Sequence, residues 1–354
     1  MKTILSFAIG AVIVMGTMFY LWAISLGAIR EGGISYWIPD MYELKLRAAR
    51  AVGDKPKVVV VSGSNAMFGL DSETLSKVIG KPVVNLAVHA GLPFEYIAGK
   101  GLEAVQSGDT VVMPLEFEYY RRKEAPSEFE LVNMETWGGR YALGSITRAY
   151  SYFRNTSMLR VLRDDLSPSL IPPHETPPNL MAAAEANTER GIAKWVGYEA
   201  ASLNLYGDAL IDHPGAFEED RDYIPAPARP EAIRKIVRFK KAVEAMGATF
   251  WLTWPVFIQN PSFDLRTKHA NEAISDLRET VASYGLQINC EPANFQFNRN
   301  LFLDTYYHLG LEGAERRTVK LAECLTGKPS GLDPLKVTAE RRRQAADYDK
   351  LANP

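Results

Sequence analysis

Residues 57–65 read KVVVVSGSN, and the fold class turns on that stretch. Valines are β-branched and suit a pleated strand, and an unbroken apolar run fits a strand covered on both faces. Gly63 then permits a sharp turn. The segment from Asp71 to Ile79, with its acidic first turn, reads as a helix. The pattern repeats: PVVNLA at 82–87 and TVVMPL at 110–115 read as buried strands, with a helix at 94–106 between them. Continuous apolar strands alternating with helices predict an α/β domain with a parallel sheet between two helical layers.

Outward from this core the rhythm stops between about Glu116 and Pro230, a stretch rich in Pro, aromatic and charged residues that includes Pro168, Pro172, Pro173, Pro177 and Pro178. It reads as an inserted cap with a helix over 145–162. The rhythm resumes with helices over 231–246 and 268–284, strands at 249–254 and 286–289, and a last helix over 311–324. The predicted organisation is an anchor at 1–30, a helical stalk at 31–56, the α/β domain at 57–326 and a polar tail at 327–354.

Ile4 through Ile29 carries no charged residue. As a helix this stretch would be roughly 39 Å long, enough to cross a hydrocarbon core of about 30 Å with tilt. It exceeds the apolar segment of a cleaved signal, and no small-x-small site precedes Arg30-Glu31-Gly32-Gly33, so it reads as an uncleaved anchor. The basic residues divide between Lys2 on one side and Arg30, Lys45, Arg47 and Arg50 on the other, which does not fix orientation. A short leading tail before a large domain is the signal-anchor arrangement. The expectation is a single-pass inner-membrane protein with its domain on the periplasmic, extracytoplasmic side. Cys290 and Cys324 lack metal or CxxC spacing and could be a disulfide or two isolated thiols.

Hydrophobic residues at 47% and charged residues at 23% exclude disorder and a polytopic membrane protein for the bulk of the chain. A formal charge of −2, with no long basic run beyond Arg341-Arg342-Arg343, gives no footprint for nucleic acid. No histidine joins a HExxH or Cys/His cluster, so neither a catalytic metal nor another cofactor is expected. His174, His213 and His269 read as surface residues. Trp137, Trp195, Trp251 and Trp254 read first as packing residues and second as platforms for sugar rings.

Ligands of open α/β sheets bind beyond the carboxyl ends of the strands. Three loops converge there: Ser62-Gly63-Ser64-Asn65 after the first strand, Asn85-Leu86-Ala87-Val88-His89-Ala90-Gly91 after the second, and Asp304-Thr305-Tyr306-Tyr307-His308 late in the chain. A serine hydroxyl becomes a useful nucleophile when an imidazole takes its proton, and a carboxylate fixes the imidazole's tautomer. Ser64, His308 and Asp304 are the candidates for these parts. His89 is the rival histidine, read as satisfied by nearby backbone. Tyr306 and Tyr307 flank the base.

In order and placement, SGSNAMFGLDS, NLAVHAG and LDTYYHLGLEGAERRT resemble the SGNH (GDSL-like) hydrolase superfamily, in its membrane-anchored branch related to DltD and the alginate O-acetylation proteins. The resemblance covers roughly residues 57–120 and 247–325. It implies an SGNH-type fold with Ser64 as nucleophile, His308 as base, Asp304 as its partner, and the N–H groups of Ser64 and Gly91 as oxyanion donors. Asn65, Asn85, His89 and Glu116 join Gly91 as candidates for the oxyanion and substrate sites. The chain departs from the family in placing Asp304 and His308 four apart rather than three, and in carrying Glu116 where an oxyanion asparagine is usual. The implied activity is O-acyl transfer, most simply of acetyl, to an exported polysaccharide, with a membrane-bound O-acyltransferase as donor. Carbohydrate ester hydrolysis and a non-catalytic polysaccharide-binding or assembly subunit are the alternatives.

Overall fold

The computed structural model describes residues 2–26, 36–159, 176–213 and 227–352. Ile29, the Arg30–Gly33 stretch, Pro168, Pro172, Pro173 and His174 lie outside the described residues. The chain forms two compact units: Met1–Tyr36 with Lys123–Glu175, and Trp37–Arg122 with Thr176–Pro354.

The second unit is a mixed α/β structure. Its main sheet contains β1 (Val58–Val60), β2 (Val83–Asn85), β3 (Thr110–Pro114), β4 (Thr249–Thr253) and β6 (Ile288–Asn289), in the order β2-β1-β3-β4-β6 and parallel throughout. β5 (Phe257–Ile258) and β7 (Gln296–Phe297) form a separate parallel pair. Successive residues of a strand face opposite sides of a sheet, and Val58, Val59 and Val60 are all buried, so β1 is covered on both faces. Helix Phe94–Ala104 packs against both Trp37–Ala51 and Pro230–Ala245, and helix Leu311–Thr326 packs against both Ser72–Ile79 and Pro334–Ala352, which gives two helical groups. Gly101 allows the first group a close approach, since a Cβ there would lie 2.9 Å from a Val61 methyl. β1 has β2 on one side and β3 on the other, which makes the carboxyl ends of β1 and β3 the topological switch point where such sheets hold ligands.

Three expectations change. The stretch read as a stalk is a helix built into the α/β unit, with Ile38, Met41, Tyr42, Leu44 and Lys45 buried. Lys45 Nζ donates to the carbonyls of Asn85 (3.0 Å) and Gly207. The polar tail forms helix Pro334–Ala352, where Ala345 packs with Ile192, Leu210, Leu311 and Ala314. The inserted stretch is not one cap. Lys123–Glu175 belongs to the unit that contains the apolar helix, whereas helix Leu180–Arg190 and the loop after it belong to the α/β unit. Cys290 and Cys324 form a disulfide with a Cα–Cα distance of 5.6 Å, which settles the alternatives left by their spacing.

The first unit contains helix Lys2–Ser25, whose Thr3–Ser25 portion is long and apolar enough to cross a membrane or serve as a signal anchor. Helices Glu128–Thr136, Gly139–Ala142 and Ile146–Asn155 accompany it. The Phe153 ring lies 5.3 Å from Phe19 and 5.8 Å from Trp22, and Trp22 Nε1 donates to Glu135 Oε1 at 3.1 Å.

Candidate active site

Beyond β1 the chain turns at Ser62-Gly63 and enters a short helix, Ser64–Phe68, that begins on the candidate nucleophile. The turn is held from beneath by Glu116. Its carboxylate accepts the Gly63 N–H at 3.0 Å, the Asn65 N–H at 3.1 Å and the Ser62 hydroxyl at 3.2 Å. Glycine is required at 63 because a Cβ would lie 2.6 Å from Ala90 Cα and closer still to Glu116 Oε1. That crowding brings the loop after β2 against the turn after β1.

Arg317, fully buried on helix Leu311–Thr326, braces the short helix from its other end. It donates to the carbonyls of Asn65 (2.7 Å) and Gly69 (3.1 Å) and to Asn65 Oδ1 (2.8 Å). Burial pulls the Arg317 pKa down to about 9 against the opposing pull of the Glu116 charge. Glu116 and Arg317 are thus opposite charges brought to one buried turn.

This arrangement corrects three substrate-binding expectations. Glu116, Asn65 and Asn85 are fully buried and bonded inward. Asn65 Nδ2 donates to Ser62 Oγ and to the Pro114 carbonyl. Asn85 Nδ2 donates to the Ala66 carbonyl and Asp208 Oδ1, while its Oδ1 accepts the Ala87 N–H. These side chains shape the turn and offer nothing to a ligand. Glu116 therefore does not place an open carboxylate at a developing oxyanion; its lone pairs face backbone N–H groups.

The base loop is a hairpin. Phe302 and Leu309 form an antiparallel bridge, the Leu303 N–H donates to the His308 carbonyl at 2.8 Å, and the Gly310 N–H donates to Leu301 at 2.8 Å. Closing residues 304–307 as its tip puts Asp304 across from His308, which accommodates the four-residue spacing. Asp304 Oδ1 lies 2.7 Å from His308 Nδ1, and Asp304 Oδ2 accepts the Tyr198 hydroxyl at 2.6 Å. Burial would raise the Asp304 pKa, but the bond with His308, the imidazole charge and Tyr198 together hold it below the usual carboxylate value. With Nδ1 turned to a carboxylate, Nε2 is the nitrogen left for base work.

Phe68 joins the two loops. Its ring stacks on His308 with centroids 4.2 Å apart. Ser64 and Phe68 are four apart on one helix and share a face, so the residue that stacks on the imidazole and the serine belong to the same short element. Among the described residues no hydrogen bond joins Ser64 Oγ to His308. Tyr307 fixes the hairpin by donating to Glu118 Oε2 at 2.6 Å and accepting the Phe117 N–H at 3.1 Å.

His89 is the second imidazole of this region. Its Nδ1 accepts the Gly91 N–H at 2.9 Å, which places its proton on Nε2 and occupies the donor expected from Gly91. Burial, then the nearby His308 and Arg122 charges, lower its pKa to about 4, so it is neutral at physiological pH. Arg122 donates to the carbonyls of Ala90 and Leu92 and closes the loop.

Trp37, Phe68, Trp195 and Tyr198 form an aromatic cluster around the two histidines, with Trp37 5.8 Å from His89 and 5.7 Å from Tyr198, and Trp195 5.4 Å from Tyr198. Trp195 is exposed, whereas Trp254 is core and donates to the Cys290 carbonyl. Sequence reading missed Tyr198, Phe68, Trp37 and Arg317. Phe68 and Arg317 lie within motifs that drew attention, SGSNAMFGLDS and GAERRT, but neither was singled out there. No group of three or more His, Cys, Asp or Glu among the described residues could hold a metal ion. The chain matches no protein-family model, no curated protein and no solved structure.

Proposed function

We propose that the chain is a serine acyl-transfer enzyme, anchored in the inner membrane with its α/β unit on the periplasmic side, that moves an acyl group, most simply acetyl, to a polysaccharide hydroxyl. The observation that carries the reading is the Asp304–His308 pair stacked against the helix that begins with Ser64, at the switch point of a parallel sheet.

In this mechanism Ser64 Oγ attacks the acyl carbonyl while its proton passes to His308 Nε2. Asp304 and Tyr198 hold the imidazole and stabilise the cation it becomes. The Ser64 N–H faces the oxyanion. Collapse expels the donor's leaving group, which takes the proton from His308, and leaves Ser64 esterified. A sugar hydroxyl then attacks the ester carbonyl, gives its proton to His308, and departs as the new ester when Ser64 Oγ is expelled and reprotonated. The Ser64–His308 hydrogen bond forms in the complex with the acyl donor, since such bonds tighten on substrate binding. A membrane-bound O-acyltransferase is the donor in this reading, and tethering raises the effective concentration of the encounter. The disulfide supports an oxidising compartment.

A second reading, a non-catalytic polysaccharide-binding or assembly subunit, is favoured by the Gly91 N–H being spent on His89. A serine-directed fluorophosphonate separates the two. Labelling of the wild type, lost in Ser64→Ala and slowed in His308→Ala, supports catalysis; equal labelling of all three, or none of the wild type, rejects it. Incubation with an acetyl ester, with and without oligosaccharides, then distinguishes transfer, which acetylates sugar, from hydrolysis, which releases acetate alone.

A further inference from the structure

The stretch from Trp137 to Leu159 is built unlike the surface of a water-soluble domain. It contains Arg140, Arg148 and Arg154 and no Asp or Glu. Its helix Ile146–Asn155 buries Ala149, Tyr152 and Phe153 on one face. Immediately beside that face it leaves Ile146 91% exposed and Tyr150, one turn on, 56% exposed, with Leu143 just before the helix also exposed. Asn155 lies on the far side of the helix, half a turn away from this stripe.

What fixes the helix is the end of the apolar one. Phe153 packs on Phe19 and Trp22, and Trp22 Nε1 donates to Glu135. The rest of the apolar helix exposes Ile4, Leu5, Phe7, Val12 and their neighbours. About 20 apolar residues cross a hydrocarbon core, and Trp marks its edges. If residues 3 to 21 span it, Trp22 sits at the headgroup boundary, and the helix docked there is held at the same depth.

We propose that residues 139–155 form a membrane-surface element, with Leu143, Ile146 and Tyr150 in the headgroup and acyl boundary of an anionic bilayer and Arg140 and Arg154 beside its phosphates. The chemistry matches what such an element needs. Exposed apolar side chains gain by leaving water, while cations on the flank are drawn to anionic headgroups. A single helix can swivel about its axis in a bilayer; one that carries a docked surface helix is fixed in rotation and depth. The inference rests on the apolar helix crossing a membrane and is independent of the chemistry at Ser64.

Both native cysteines are in the disulfide, so one added cysteine takes a nitroxide label alone. Full-length Ile146→Cys, Tyr150→Cys, Asn155→Cys and Val12→Cys would be reconstituted in phosphatidylcholine vesicles containing phosphatidylglycerol. Collision rates with oxygen, which concentrates in lipid, and with a water-soluble nickel chelate would then be compared. Positions 12, 146 and 150 are expected to favour oxygen severalfold over the chelate relative to position 155. Positions 146 and 150 as open to the chelate as 155 would overturn the proposal. So would shielding of both from the two reagents, which would mean protein covers the stripe. A chelate-accessible label at position 12 would overturn the anchor and the proposal with it. Ile146 and Tyr150 make independent tests at exposed sites, so misfolding of one variant leaves the other decisive.

Discussion

Asp304 accepts two hydrogen bonds, from His308 and from Tyr198, and the second comes from a residue more than a hundred positions away in sequence. Removing the carboxylate charge in Asp304→Asn leaves Nδ1 without its ionic partner and allows the wrong tautomer. The expected result is a fall in kcat/KM for an acetyl ester of about 10²–10⁴-fold, the range for losing one acid–base element. Tyr198→Phe keeps the ring and removes one bond, and about tenfold is expected, worth ~1.4 kcal/mol. Equal, negligible effects would mean that the pair is structural. Glu116 is a different case. Glu116→Gln replaces acceptors of two backbone N–H groups by an amide with one oxygen and leaves Arg317 buried without its opposite charge. We expect a loss of roughly 3–5 kcal/mol in urea unfolding, and a loss under 1 kcal/mol would show that the turn holds without it. Ser64, Asp304 and His308 were legible as candidates because each lies in a short local pattern, after a valine strand for Ser64 and before the last helix for the other two. Tyr198, Trp37 and Phe68 were not, because their role exists only where three distant segments meet.

At the scale of elements, helix Pro334–Ala352 shows why polar sequence misleads. It buries only Thr338, Arg341 and Ala345, too few to make an apolar stripe. Beside the small contact at Ala345 its attachment is ionic: Arg341 bonds Asp71 at 2.7 Å and Glu73 at 2.7 Å, and lies 3.9 Å from Glu315. The misread stalk is a different case, a helix that buries Ile38, Met41, Leu44 and Ala48 and adds a buried lysine bonded to backbone carbonyls. Strands announced themselves by uninterrupted valines; the terminal helix depends on charges whose partners lie elsewhere in the chain. Glu315 makes the charge cluster testable. It is fully buried beside the Asp71 carboxylate, with the Arg341 guanidinium 3.9 Å away. Burial, then the negative Asp71, pushes its pKa up to about 10. The unfolded value is ~4.3, so the stability contributed by the neutral acid is complete below that pH and is lost as pH rises toward the folded value. Glu315→Gln removes the titration while keeping the shape. Its melting temperature should rise relative to the wild type with each step from pH 5 to pH 9. A difference that stays constant across that range would mean Glu315 is ionised in the folded protein.

Across the whole molecule, the Cys290–Cys324 bond closes a loop over the segment that carries Asp304, His308 and Arg317. The His308 hairpin and the Arg317 brace are therefore stapled together by a disulfide, a link favoured in oxidising compartments. With the cysteines 34 apart in sequence, the chain-entropy relation gives about 3–4 kcal/mol of stabilisation. Much of the unfolding would be local, because β1, β2 and β3 lie outside the closed loop and keep their valine core. Reduction of the full-length protein, or paired Cys290→Ser and Cys324→Ser substitution, should lower the urea midpoint. It should also slow fluorophosphonate labelling of Ser64 more than it changes far-ultraviolet circular dichroism. Unchanged labelling after verified reduction would mean that the hairpin holds its place without the staple. Two free thiols in protein isolated from its native membrane would go further and argue against an extracytoplasmic location for the α/β unit.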